Sequence, residues 1–181
     1  FKEALSMFHD MEGFVGKSPA LCENIGHTYN ALGDYDAAEA YFQQAVVLIQ
    51  PGAQEVQKAG ILLGLAGLRD RRGNSEEALE AAQQAYALYE DRDRQRGWAS
   101  SFTAKAAMQI SSIQMKLGNL DDAEMKTSEA IRLFDLTSGE DSPLTASAWH
   151  RLGKILLWQD RVQEARTALH KAYQLEAIKD A

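Results

Sequence analysis

Little in this sequence can cross-link, kink or span a bilayer. A single cysteine, Cys22, leaves no intrachain disulfide to form. A lone thiol fits a reducing compartment such as the cytoplasm or an organelle stroma without establishing one. Only three prolines occur in 181 residues, and strand-type alternation is scarce, so helix is the leading expectation. No apolar run approaches the roughly 20 residues of a membrane-spanning helix, which argues against membrane insertion. Positive charge is also short. The 19 Lys and Arg against 26 Asp and Glu leave a net charge of −7, which disfavours nucleic acid as a partner. The chain opens on Phe1 rather than Met, without the basic, apolar and cleavage-site pattern of a signal peptide. It reads as an excerpt, or the ordered part, of something longer.

What the sequence has is repetition. The stretch NALGDYDAAEAYFQQA, Asn30 to Ala45, returns as GLRDRRGNSEEALEAAQQA ending at Ala85. It returns again as IQMKLGNLDDAEMKTSEA ending at Ala130 and ILLWQDRVQEARTALHKA ending at Ala172. In this register Gly33, Gly73, Gly118 and Asp160 correspond, spaced 40, 45 and 42 residues apart. So do Ala38, Ala78, Ala123 and Ala165, and again Ala45, Ala85, Ala130 and Ala172. A period of this length marks an array of stacked helical units.

Each unit reads as a helical hairpin. Gly just past a helix end takes the left-handed backbone of a helix stop without a Cβ clash, and Asp160 is a tolerable substitute. Asp34, Asn74 and Asn119 then stand where they can cap the next helix, with Glu77 as capping-box partner of Asn74. Arg161 is a poor cap, so the fourth turn is expected to be the weakest. Small residues in the first helices, Gly26, Ala66, Ser111 and Gly153, suit close helix crossings, with Phe42 and Leu169 filling the space opposite. Cys22, Ile25 and Tyr29, and later Trp149, Leu152 and Leu156, form the apolar stripes of first helices. Ser18-Pro19 and Ser142-Pro143 mark helix starts, and Pro51 should stop the helix that ends near Gln50. PGAQEVQ, EDRDRQRGWASS and DLTSGEDSPL read as linkers or extended helix starts. FKEALSMFHDM resembles the second helix of a hairpin whose partner lies upstream.

Nothing carries chemistry of its own. His9, His27, His150 and His170 are scattered without zinc spacing, and buried Cys22 is expected to be a packing residue. GILLGLAG lacks the spacing and the Lys of a phosphate loop, so close helix packing is the better account. The carboxylates of EEALE and LDDAE are expected to be cap and solvent residues at helix starts. The basic RDRR run is expected to be a solvated last turn. Trp98 falls in a linker, and Trp158 is expected to pack beneath the turn that follows it. No enzyme, cofactor or metal reading survives.

Ile25-Gly26, Tyr29, Gly33, Ala38, Phe42 and Ala45, with Trp149, Leu152-Gly153, Ala165, Leu169 and Ala172, resemble the tetratricopeptide (TPR) signature of Trp, Leu-Gly, Tyr, Ala, Phe and Ala. The stretch from Ser138 to Leu175 is particularly similar to the roughly 42-residue variant of the kinesin-light-chain type. The second and third units depart most: Arg69 and Gln114 replace Tyr, and Ala82 and Thr127 replace Phe. The resemblance implies an all-α fold, a right-handed superhelix of antiparallel helical hairpins, as one domain over residues 1–181. Residues 1–16 would be the second helix of a truncated repeat, with full repeats at 19–52, 59–92, 104–137 and 146–179.

It further implies a scaffold that binds a partner peptide or helix in a concave groove lined by first helices. Carried over by alignment, the groove residues are Glu23, Asn24, His27 and Asn30 in the first unit, and Leu63, Gly67 and Arg71 in the second. The third contributes Lys105, Gln109, Ser112 and Lys116, and the fourth His150, Arg151 and Lys154. Residues 19–52 hold four acids and no Lys or Arg, whereas residues 142–181 carry a net of +2. An acidic segment or terminal carboxylate at the C-terminal half is therefore the expected ligand. The Lys/Asn clamp used for chaperone C-termini is not matched, since Glu23, His27 and Gly64 stand at its positions. Two alternatives stay open: an arm of a larger enzyme, or of a peptide-sensing regulator, whose other domain is absent here. A homodimer through an end with uncovered Leu169, Tyr173 and Leu175 is also compatible with the sequence.

Overall fold

A computed structural model describes residues 18–50, 52, 54–140 and 142–177. The helix expected at 1–16 and the stop expected at Pro51 lie outside the described residues. Among the described residues there are eight helices and no strand. They are α1 (Pro19–Leu32), α2 (Tyr35–Leu48), α3 (Glu55–Arg72), α4 (Ser75–Arg96), α5 (Ser101–Leu117), α6 (Leu120–Ser138), α7 (Pro143–Trp158) and α8 (Val162–Ala177). The chain divides into two compact units, Phe1–Leu88 and Tyr89–Ala181, with the boundary inside α4.

The four hairpin turns share one bonding pattern. Gly33, Gly73, Gly118 and Asp160 all have positive φ, at 81°, 87°, 81° and 59°. The following N–H then returns to a carbonyl five residues back: Asp34 to Tyr29 at 3.0 Å, Asn74 to Arg69 at 3.0 Å, Asn119 to Gln114 at 3.0 Å and Arg161 to Leu156 at 2.9 Å. This closes the exposed carbonyls of the first helix, as the glycine spacing predicts. Helix starts follow the sequence less evenly. Ser18 Oγ accepts from the Leu21 amide at 3.4 Å, Asp34 Oδ1 from Ala37 at 3.1 Å, and Ser142 Oγ from Leu144 at 3.1 Å. Asn119 does not cap α6; its amide nitrogen donates to Gln114 Oε1 at 2.8 Å.

EDRDRQRGWASS is not a linker throughout, because α4 runs on to Arg96. The extension has a purpose at the next helix. Ser100 makes no side-chain cap on α5, and Asp93 Oδ2 from α4 instead accepts from the Ser100 amide at 2.8 Å and its hydroxyl at 3.1 Å, and from Thr103 Oγ1.

Within and between hairpins, helices meet through a small residue opposite a larger one. A Cβ added at Gly26 would lie 3.1 Å from the Phe42 ring, and one at Gly64 would lie 3.0 Å from the same ring. Phe42 is fully buried between them in the first unit. At Gly153 the added Cβ would fall 2.5 Å from Leu169 Cγ. The third hairpin replaces this pairing by hydroxyls: Ser111 Oγ and Thr127 Oγ1 lie 2.6 Å apart and 3.0 and 2.8 Å from the Ala123 carbonyl, so one hydroxyl donates to the other and the second donates to the carbonyl. Both are fully buried and satisfied, so Thr127 fits where Phe42 stands in the first hairpin.

Neighbouring hairpins within each unit are tied by charge, contrary to the expectation of solvated runs. Glu39 of α2 holds Arg69 and Arg72 of α3, each at 3.0 Å, and Asp36 reaches Arg72 at 2.8 Å. In the second unit Glu124 of α6 holds Arg161 at 2.6 Å, and Asp121 accepts from Gln159 at 3.0 Å. Arg161 also forms a two-point pair with Glu164 at 2.8 and 2.7 Å. The fourth turn, expected to be weakest because Arg161 cannot cap, is thus anchored by that arginine. Hydrogen bonds from Arg161 hold the Glu164 carboxyl below its ordinary range. Trp158 does not pack beneath the turn; it is 59% exposed.

Two stability predictions follow from these contacts. Ala is favoured over Gly in a helix by up to about 1 kcal/mol, but forcing a methyl into a tight contact costs about 1–3 kcal/mol. Gly153→Ala should therefore lower stability by about 1 kcal/mol, read as a lower urea midpoint; an unchanged midpoint would mean that Leu169 gives way. Glu39→Gln should cost about 1 kcal/mol, and the loss should shrink in molar salt, where exposed parts of the pair are screened.

Candidate functional site

In the first unit α1 carries four of the expected groove residues. Asn24 and His27 are exposed, while Glu23 and Asn30 are half-buried. His27 stands edge-on to Phe42 with centroids 4.9 Å apart, so the core residue beneath fixes the ring. Glu23 Oε1 is 4.0 Å from His27 Nε2. Burial pushes the Glu23 carboxyl up and the His27 imidazole down, the opposite of what an ion pair would do. Both shifts come from partial desolvation, although half of the His27 side chain is still exposed. Arg71 of α3 donates to Asn30 Oδ1 at 3.1 Å, joining two expected residues across hairpins. Leu63 and Gly67 lie half-buried on α3.

In the second unit α5 presents exposed Lys105 and Lys116 with half-buried Gln109 and Ser112, and α7 presents exposed His150 and Lys154. Arg151 behaves differently from its neighbours. It is half-buried and donates from Nη1 to the Met108 carbonyl of α5. Burial lowers its pKa below the ordinary guanidinium range, and the carbonyl bond gives its charge a partner inside the protein. Its first task is to tie α7 to α5.

An aromatic cluster was missed in the sequence. Phe102 stacks on Tyr89 at 5.6 Å, and Lys105 Nζ lies 5.7 Å from the Phe102 centroid. Phe102 precedes Lys105 by three residues, one helical turn, and that spacing was the available signal. Trp158 and Leu157, at the end of α7, are likewise exposed, at 59% and 43%. Among the described residues no group of three or more His, Cys, Asp or Glu is arranged to hold a metal ion. No described helix is long and apolar enough to cross a membrane.

Successive antiparallel hairpins with left-handed stops and small-residue crossings define a helical-hairpin repeat protein. The tetratricopeptide repeat family model matches residues 19–91 and 102–176, well over half of the sequence. The chain belongs to the tetratricopeptide repeat family, whose members are protein-interaction scaffolds. Solved structures agree on the fold. MamA is 19% identical with a TM-score of 0.71, over 91% of this chain and 81% of that one. BtubC from P. vanneervenii is 23% identical with a TM-score of 0.77, over 96% and 68%. TPR-like repeats from Podosopora anserina assigned to a kinesin light chain are 17% identical with a TM-score of 0.73, over 90% and 76%. A sequence search of curated proteins gave no match.

The His27 environment is open to measurement. Its imidazole should titrate below the ordinary 6.5 in an NMR pH series. Because the folded value lies below the unfolded one, the neutral ring stabilises the fold above about pH 6.5, and this contribution falls as pH drops below it. A midpoint at or above 6.5 would show that Glu23 outweighs burial.

Proposed function

We propose that the first-helix face of the second unit binds an acidic peptide segment or a terminal carboxylate of a partner protein. The observation that carries this reading is the pair of exposed lysines, Lys105 on α5 and Lys154 on α7. None of the expected groove residues of this unit is an acid, so a carboxylate would meet donors without like-charge repulsion. Gln109 and Ser112, half-buried between the lysines in sequence, supply neutral groups for a peptide backbone. Phe102 beside Lys105 adds an apolar surface on which a neighbouring side chain can rest. Arg151 supports the face through Met108 rather than by direct capture. Glu23, Asn24, His27, Asn30 and Arg71 form a separate face in the first unit, and its one cation is already engaged by Asn30.

The test is selection of a displayed peptide library with free, randomised C-termini on the intact chain. Acidic termini should be enriched, and their affinity should fall about tenfold or more for Lys105→Glu/Lys154→Glu, the scale of two reversed charge contacts. Amidation of the selected peptides then separates a terminal carboxylate from internal acids. Equal binding by the folded double variant would sink the proposal.

A further inference from the structure

A cleft of about 270 Å³ in the second unit is lined by α6, α7 and α8 and includes none of the groove residues. Its apolar lining is Trp149, Leu152, Leu156 and Ala168, with Glu124, Arg161 and Glu164 as its ionic members. Leu156 and Ala168 are buried at 4% and 2% exposure, so they form its base.

The first unit shows what the chain itself puts at this place. Counting from the turns, Glu39, Arg69 and Glu77 are the counterparts of Glu124, Leu156 and Glu164. Arg69 fills the position with a side chain only 20% exposed, its guanidinium 3.0 Å from Glu39 and 3.8 Å from Glu77. In the second unit Leu156 has no such head. Arg161, five residues further on, spans the two counterpart carboxylates instead, at 2.6 Å to Glu124 and 2.7 Å to Glu164. The ion pair is remade from another position, and the cleft lies over the Leu156 that stands where the first unit has Arg69.

We propose that this cleft receives one uncharged aromatic or large aliphatic side chain of a partner protein. Its size exceeds the roughly 150 Å³ cavity that accommodates benzene. Its charged members leave little for an ionic ligand. Arg161 directs Nη1 to Glu124 and to Gln159 Oε1, and Nε and Nη2 to Glu164. An anion would compete with two carboxylates for that arginine, and a cation would face Arg161 itself. An apolar group needs neither and gains from leaving water.

Indole serves as the first probe, titrated into the intact chain and followed by methyl and indole N–H NMR. Shifts should be confined to Trp149, Leu152, Leu156 and Ala168. They should weaken about tenfold or more, the scale of one buried apolar side chain, in Leu156→Arg, which puts the first unit's side chain at the base of the cleft. Thr167→Trp, placed on an exposed lining position, should block the cleft without touching its base and decides the matter if Leu156→Arg does not fold. Shifts that are absent, scattered, or unchanged in a folded variant overturn the proposal. So does an equal response of the same residues to acetate. A displayed peptide library selected on the intact chain and counter-selected on Thr167→Trp should then enrich a single aromatic or leucine-like anchor. Enrichment of acidic anchors, or none, would count against the cleft while leaving the lysine face untouched.

Discussion

The distance between the two helices of a hairpin is the constraint on which the remaining structure rests. It is met by trading volume across one facing pair of positions. Gly26 faces Phe42 and Gly153 faces Leu169, so one partner has almost no side chain and the other a large one. In the third hairpin Ser111 and Thr127 share the space as two small hydroxyls that bond to each other. In the second hairpin Ala66 and Ala82 occupy the same positions, and both are fully buried. The pairs differ in summed volume, Ala66 with Ala82 being the smallest, so the surrounding side chains of each hairpin take up the difference in a close-packed interior. The polar solution works because the Ala123 carbonyl accepts the proton that the hydroxyl pair does not use between its own oxygens. Once this spacing is set, the outward faces of α5 and α7 are set too, and with them Lys105 and Lys154.

Charge supplies the second layer of order. The acid six residues past a turn, Glu39 or Glu124, reaches the turn region of the next hairpin in its own unit. The positions that match it in the second and fourth hairpins are Leu79 and Arg166, so the feature recurs at every other hairpin. Two successive family matches, 19–91 and 102–176, have the same two-hairpin period. A chain with an acidic excess thereby uses part of that excess as structural contacts between helices, where half-burial reduces screening.

Glycine and alanine spacing made the hairpins legible, because a left-handed stop and a close crossing each demand a particular residue type. The serine starts at Ser18 and Ser142 were legible for the same reason. What escaped were long-range pairings that leave no local signature. Arg161 looked like a failed cap when only its neighbours in sequence were considered; its partner Glu124 lies 37 residues away. Arg151 looked like a free groove cation, yet it binds a backbone carbonyl 43 residues earlier, and backbone acceptors are invisible in a sequence. Lys105, Lys116 and Lys154 fall on exposed positions. Phe102 was overlooked because one aromatic at a helix start resembles ordinary core.

The hold of Asp93 on Ser100 and Thr103 has a consequence for the order of folding. A helix whose start is fixed by its own residues can begin wherever its first turn forms, at the usual cost of nucleation. The residue before α5 is tied instead to a side chain seven residues earlier, on a different helix. The Ser100 amide therefore gains that acceptor only after the last turns of α4 exist. The two events become cooperative, so fraying at Arg94 or Arg96 would be felt at Ser101 although neither arginine makes the contact.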